Sequence, residues 1–313
     1  MIFDHMKNES KFSEHRFQIS RTLNAIPLQY DSSSDLNDHC NNRPITVNIP
    51  WNGNLIGITH IPAVDSNRLL IHSEINSASS PKSLEALRSI MKINHALSEN
   101  TQASIGFSER DKIVISLALP VEHLDTQSLM YALDCIDKLS LKLSENDDFS
   151  NVDDFRLILE SHDFLANDDI KQEEAEKKFS SLCNEIKSDP SVDGPYDTES
   201  SGLDIGCGST RVFLSLNTKL PSDVVVNCKL REIKKGASSA LINLLKINHV
   251  MSFMKGGVFS IDERDSRIVY RWHQDIYSFN AEDLMNSIAE IVRLSNSDYS
   301  DINIVINEGV MVI

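Results

Sequence analysis

The sequence predicts an α+β protein: two tandem domains, each of the order αβββαββα and each an antiparallel sheet packed with helices. Three observations lead there. The chain carries an internal duplication, its 313 residues suit two domains better than one, and the same succession of helical and alternating apolar patterns runs through both halves.

The duplication is the firmest of the three. Lys92-Ile-Asn-His95 recurs as Lys246-Ile-Asn-His249, and Glu109-Arg-Asp111 recurs as Glu263-Arg-Asp265, both at a spacing of 154 residues. Across Ala86–Asp111 and Ala240–Asp265, 10 of 26 positions are identical without a gap, where accident gives roughly one or two. Upstream, Leu69–Ile75 matches Val224–Leu230. Downstream, Leu129, Leu133, Ile136 and Leu139 match Leu284, Ile288, Ile291 and Leu294 after one inserted residue.

In the first copy, Phe12–Asn24 reads as a helix with Phe12, Phe17, Ile19 and Leu23 as its apolar members. Strands follow at Ile45–Trp51, Leu55–Ile61 and Leu69–Ile75, the first two joined by the tight-turn signal Asn52-Gly53. A second helix spans about Ser83–Ser98, striped by Leu84, Leu87, Ile90, Met91 and Leu97. Strands Ala103–Phe107 and Ile113–Leu119 flank a charged turn, and Thr126 is the expected cap of a last helix carrying Leu129, Leu133, Ile136 and Leu143. The second copy repeats this with helices near Glu173–Ile186, Ser238–Phe253 and Ala281–Leu294. Its strands are expected near Leu203–Ile205, Arg211–Leu216, Asp223–Leu230, Gly257–Ile261 and Arg267–His273. Domain bounds follow at 1–143 and 171–313, joined by an acidic linker over 144–170 in which Asp154–Leu165 suggests an extra helix. Pro190–Gly202 reads as a loop, and the apolar tail Ile302–Ile313 as an added strand.

Composition narrows the function. With 30 Lys and Arg against 46 Asp and Glu, the net charge is −16, a surface that repels phosphate backbones and anionic lipid. Nucleic acid and membrane insertion are therefore not expected. Five scattered cysteines without a CxxC pair give neither a disulfide framework nor a zinc site. No signal-peptide pattern opens the chain, so a soluble cytoplasmic protein with reduced thiols is expected.

One motif points elsewhere. Leu203-Asp-Ile-Gly-Cys-Gly208 looks like the first motif of S-adenosylmethionine-dependent methyltransferases. That motif needs a buried strand, a glycine turn and then a helix, whereas Arg211–Leu216 alternates like a strand. The duplication also aligns the segment with the hairpin at Asn52-Gly53, so Gly206-Cys-Gly208 is expected to be a turn. Methyl transfer stays as a remote alternative. No nucleophile, base and oxyanion hole assemble elsewhere in the sequence, so no catalytic residue, cofactor or metal is assigned.

The repeated polar residues read structurally. Asn94 and Asn248 fall on apolar helix stripes, as a register-fixing asparagine does at a helix–helix seam. His95 and His249 lack a spaced ligand or carboxylate partner, and the Glu-Arg-Asp runs suit solvated turns. One asymmetry stands out. Ile113, Ile115, Leu117 and Leu119 share a strand face, and the 154-residue spacing puts Arg267, Val269, Arg271 and His273 on the matching face, leaving Ile268, Tyr270 and Trp272 opposite. Either the strand drifted as its second face became covered, or Tyr270, Arg271 and Trp272 form a partner-contact surface.

The run Leu87-Arg-Ser-Ile-Met-Lys-Ile-Asn-His-Ala-Leu-Ser-Glu-Asn100, followed by Ala103–Asp111, Ile113–Pro120 and Leu124–Met130, resembles the class I type III secretion chaperones, the Tir-chaperone (CesT-like) family. Copy two keeps the helix and the turn but reads His273-Gln-Asp-Ile where copy one has Leu-Pro. The resemblance implies a non-catalytic protein that binds the N-terminal region of a secreted effector and keeps it soluble and export-competent. Delivery to the secretion ATPase or export apparatus is implied with it, and an adaptor or regulator of the same fold is the alternative. It further implies that the two copies pair as a pseudo-dimer within one chain, with Leu87, Met91, Asn94, Leu241, Leu245 and Asn248 as candidate seam residues. Effector-binding candidates are Phe17, Leu23, Val47 and Trp51 in copy one, and Leu182, Ile186, Tyr270 and Trp272 in copy two.

Overall fold

The computed structural model describes residues 2–26, 31–32, 43–79, 81–99, 101–145, 149, 151–160, 169–189, 192–197, 202–207, 210–217, 220, 222–232, 238–254 and 256–295. The expected tail strand Ile302–Ile313 lies outside them. Copy one comprises α1 (Ile2–Ala25), β1 (Asp31–Ser32), β2 (Ile45–Trp51), β3 (Asn54–His60), β4 (Arg68–Ser79), α2 (Leu84–Leu97), β5 (Gln102–Phe107), β6 (Lys112–Pro120) and α3 (Thr126–Glu145). A helix in the linker region, α4 (Val152–Glu160), precedes copy two. Copy two comprises α5 (Asp169–Lys187), β7 (Asp193–Asp197), β8 (Leu203–Cys207), β9 (Thr210–Leu216), β10 (Asp223–Glu232), α6 (Ser238–Phe253), β11 (Val258–Ile261), β12 (Arg267–Asp275) and α7 (Ala281–Ser295).

The two sheets have the same strand order, β1-β2-β3-β4-β6-β5 and β7-β8-β9-β10-β12-β11, and every pairing is antiparallel. Each sheet has a sixth, outermost strand that the sequence reading lacks. β1 is only two residues long, and β7 runs through Pro195 inside the segment read as a loop. Neither carries the apolar alternation that marks a strand with one buried face.

In sheet one the inward positions Ile45, Val47, Ile49, Ile56, Ile58, Leu69, Ile71, Ile113, Ile115 and Leu117 are buried in the core, against which α3 packs and α1 leans. Each alternates with residues on the opposite face, the period of a strand buried on one side. α2 begins as expected: Ser83 caps it, its hydroxyl accepting from Ala86 N at 3.1 Å. α3 is capped one residue earlier than expected. Asp125 and Ser128 form a reciprocal box, Ser128 N donating to Asp125 Oδ1 at 2.7 Å and Asp125 N to Ser128 Oγ at 3.0 Å.

The methyltransferase-like segment is a hairpin strand. β8 pairs with β9 so that Cys207 faces Thr210, the same two-residue connection as Trp51 facing Asn54 in copy one. Gly206 lies within β8, and Gly208 lies outside the described residues. In copy one the turn is left-handed at both central positions, Asn52 at φ 48° and Gly53 at φ 90°.

Strand register corrects the reading of exchanged faces. The left-handed residue that opens the last strand is Asp111 in copy one and Ser266 in copy two, a spacing of 155. The extra residue of copy two therefore lies inside the turn. With that step, Ile113, Ile115 and Leu117 correspond to Ile268, Tyr270 and Trp272, which pair and bury alike. Copy two kept its faces. What changed is the opposite face, where Ser116 and Ala118 became Arg271 and His273.

The copies pair as a pseudo-dimer. α6 lies against β5, α2 lies against β11, and the two helices touch. The edge strand of each sheet is thus covered by the central helix of the other copy, one of the ways a protein protects an open sheet edge.

Candidate functional site

The candidate groove residues separate into two kinds. Phe17 on α1 is 67 % exposed. Trp51 is half-buried, with Nε1 donating to Asp134 Oδ1 on α3 at 2.8 Å. Leu23, Val47, Leu182, Ile186, Tyr270 and Trp272 are all core residues. Tyr270 is sealed, its ring 4.6 Å from that of Phe259 and 5.4 Å from that of Trp272, while its hydroxyl accepts from Gly257 N at 2.7 Å. The surface expected at Tyr270 and Trp272 is therefore interior, because the missed turn residue had turned a core face outward.

The seam candidates Leu87, Met91, Leu241 and Leu245 are buried. Asn94 and Asn248 are buried too, but each grips its own sheet, not the opposing helix. Asn94 Nδ2 donates to Ile105 O at 2.8 Å and its Oδ1 accepts from Ile105 N at 2.6 Å. Asn248 does the same with Phe259, at 2.8 Å in both directions. Each amide replaces the missing neighbour strand for one residue of the edge strand. Beside them the copies approach closely: Gly106 of β5 faces the α6 backbone at Leu245 and His249. The matching contact pairs Ser260 Oγ with His95 Nδ1 at 3.3 Å. Lys246 closes one side on Asp111 at 2.8 Å.

Side chains from each sheet cap the other copy's central helix, where carbonyl groups lack intrahelical partners. Arg68 Nη2 donates to Ser252 O at the end of α6 at 2.8 Å. At the end of α2, Arg271 Nη1 donates to His95 O at 2.8 Å and His273 Nε2 lies 3.0 Å from Ser98 O. His273 Nδ1 stands 3.5 Å from Asp223.

Three seam histidines are held neutral. Burial moves His72 from the ordinary 6.5 to about 4, and the nearby His249 ring disfavours a second proton there; burial moves His95 likewise to about 4, helped by the Arg271 charge. Burial also lowers His249. A base whose folded value is depressed protonates first in the unfolded chain. The contribution of these groups is therefore complete above pH 6.5 and lost progressively as the pH falls toward 4. The expected result is a urea midpoint that declines through this window, with a shallower decline in the His72→Gln/His95→Gln variant. An identical slope in both proteins would refute the assignment.

Beyond the seam, each sheet has an outer face away from its own core, overhung by the other copy's central helix. On sheet one this face is apolar and aromatic where α6 arrives: Phe253 stacks edge-on to His72 at 5.2 Å and to His249 at 5.4 Å. On sheet two the equivalent face holds an open groove of about 360 Å³ lined by charges of both signs, Arg211, Lys229, Arg264 and Arg271 with Glu99, Asp204 and Asp262. A smaller cleft of about 230 Å³ lies between the copies near Arg68 and His273. Among the described residues no group of three or more His, Cys, Asp or Glu is gathered for a metal ion, and no helix is long and apolar enough to cross a membrane. Among the described residues Cys135, Cys183, Cys207 and Cys228 form no disulfide with one another, and burial pushes the Cys135 thiol up to about 12.

Residues 54–136, from β3 into α3, match the family model of the Tir chaperone protein (CesT) family. The match lies within copy one, and the second sheet repeats the strand order of the first. The solved structure of the HopA1–SchA chaperone–effector complex aligns with 39 % of this chain and 92 % of that chain, at 10 % identity and a TM-score of 0.32. No curated protein matches the chain.

Proposed function

We propose that this chain is a non-catalytic chaperone that binds the N-terminal region of a secreted effector in the cytoplasm, keeps it soluble, and presents it to the secretion ATPase or export apparatus. The observation that carries the reading is the family match of residues 54–136. In this reading 1–143 and 171–313 are the two chaperone-like halves, and 144–170 joins them. Capture is physical: an extended segment adds a strand at an outer sheet edge or lays apolar side chains beside α1. Of the candidate contact residues, Phe17 and Trp51 are the two that a client can reach.

The test is a pull-down of the tagged chain from its native cells, with bound proteins and protease-protected segments identified by mass spectrometry. One or a few secreted proteins protected near their N-termini is the expected outcome, with recovery reduced several-fold for Phe17→Glu because a charge replaces an apolar contact. Recovery of regulators or apparatus components without such a client would favour an adaptor instead, a reading that draws on the altered outer face of copy two.

A further inference from the structure

The two outer faces are related position by position, and they differ in charge. Strand register makes Leu55 the equivalent of Arg211, Glu74 of Lys229, and Ser116 of Arg271. Three cations have been gained on one face of a chain whose net charge is −16. Across from them, Glu99 stands where α6 has Phe253.

The cations are not all neutralised. Arg211 pairs with Asp204 at 2.7 Å, and Lys229 pairs with Asp262 at 3.0 Å and Asp265 at 3.2 Å. Glu99, on the groove wall, is drawn to Arg156 of α4 at 3.8 Å. Arg271 is 7 % exposed and makes no ion pair among the described residues. Its Nε donates to Asn227 Oδ1, and its Nη1 to His95 O at 2.8 Å and Ser98 Oγ at 3.3 Å. Those partners are neutral, and Nη2 is left open among the described residues, beside the groove that the residue lines. Arg264, also on the groove wall, makes no ion pair among the described residues either. Glu99 and Asp262 act on Arg271 only through space, beyond ion-pair distance; a buried guanidinium without a bonded counter-charge is costly unless something supplies one, and its planar fork matches a carboxylate.

We infer that the outer face of sheet two is a docking groove for an extended acidic peptide, one carboxylate of which seats on Arg271 with Arg264 beside it. The inference rests on the chaperone reading for the source of that peptide, an acidic stretch of the client. It gives the two halves different tasks: an apolar face on copy one and a carboxylate-reading face on copy two. A bare sheet face beside a helix end accommodates an extended chain, and charge complementarity selects an acidic one.

The test is calorimetric titration of the full chain with two synthetic nonapeptides, one alternating valine and glutamate, the other valine and glutamine. The glutamate peptide is expected to bind, more weakly at high salt, with the glutamine peptide at least about tenfold weaker. Arg264→Glu is exposed and leaves the fold intact, so it should weaken the glutamate peptide without moving the unfolding midpoint. Arg271→Gln should abolish its binding, and Leu55→Ser on the other face should leave it unchanged. Equal binding of both peptides, no binding of the glutamate peptide, or full affinity in Arg264→Glu would overturn the groove. Any of these alongside a client recovered in the pull-down would leave the chaperone reading standing. Selective binding without any client would leave the groove and remove the chaperone.

Discussion

Gly106→Val is expected to lower the stability of the whole chain by about 3 kcal/mol, the upper end of the usual cost of forcing atoms into a packed interior. A Cβ at this position would stand 2.6 Å from His249 N, 2.8 Å from His249 Cβ and 2.8 Å from Leu245 O. All three belong to the main chain of α6 or its first side-chain carbon, so no rotamer change makes room. Relief requires α6 to move off β5, and α6 carries Asn248, Met251 and the Arg68 contact with it. The effect is steric, since Gly106 lies in a regular strand and not among the residues of positive φ. Urea unfolding of the purified chain measures it. The pseudo-equivalent Ser260 already holds a side chain against His95, so Ser260→Gly should shift the midpoint far less. Equal, small shifts for both variants would mean that the seam is looser than described.

Asn94→Leu should cost about 3 kcal/mol for a different reason. Leucine keeps the branched heavy-atom skeleton, so no cavity is left, but Ile105 loses the partner of both its N–H and its C=O in a buried place. Orphaned groups of this kind cost roughly 1–3 kcal/mol each. Asn248→Leu should behave alike through Phe259. Hydrogen exchange separates this from general loosening: the Ile105 amide should exchange faster in Asn94→Leu even under conditions where strands β3 and β4 remain protected. An unchanged Ile105 amide would argue that the paired hydrogen bonds contribute little.

The sequence reading and the structure agree most closely where one periodicity decides the outcome. The helix at Ser83–Ser98 and the strand Ile45–Trp51 are placed almost to the residue, because each has one apolar face and a clear start or stop, and the helix at Ser238–Phe253 follows from its match to the first. The duplication likewise carried over to two sheets of one strand order. What failed did so for physical reasons. A single extra residue in the turn before Arg267 reverses the apparent orientation of every side chain in β12, since a strand has a period of two. Trp272 and Tyr270 therefore looked exposed. The role of Asn94 was half legible: its place on an apolar stripe showed that it was buried with a partner, yet helical periodicity does not distinguish a facing helix from a facing strand edge. The charged groove was not legible, because Arg211, Lys229, Arg264 and Arg271 come from three strands and a turn, and meet only through the register. The signal that could have found it is the excess of cations at the positions of copy two that match Leu55, Glu74 and Ser116.

The crossing of α6 onto β5 also sets an order of events during synthesis. Strand β5 ends at Phe107, and the helix that covers it begins at Ser238. The ribosome adds the intervening residues in roughly 7 to 26 seconds at about 5–20 residues per second. Throughout that interval the first sheet stands with its edge strand bare of the helix that will cover it. Asn94 belongs to the same half as Ile105 and is made before it. The nascent chain therefore carries its own seal for one residue of that edge, in place before the covering helix has left the ribosome.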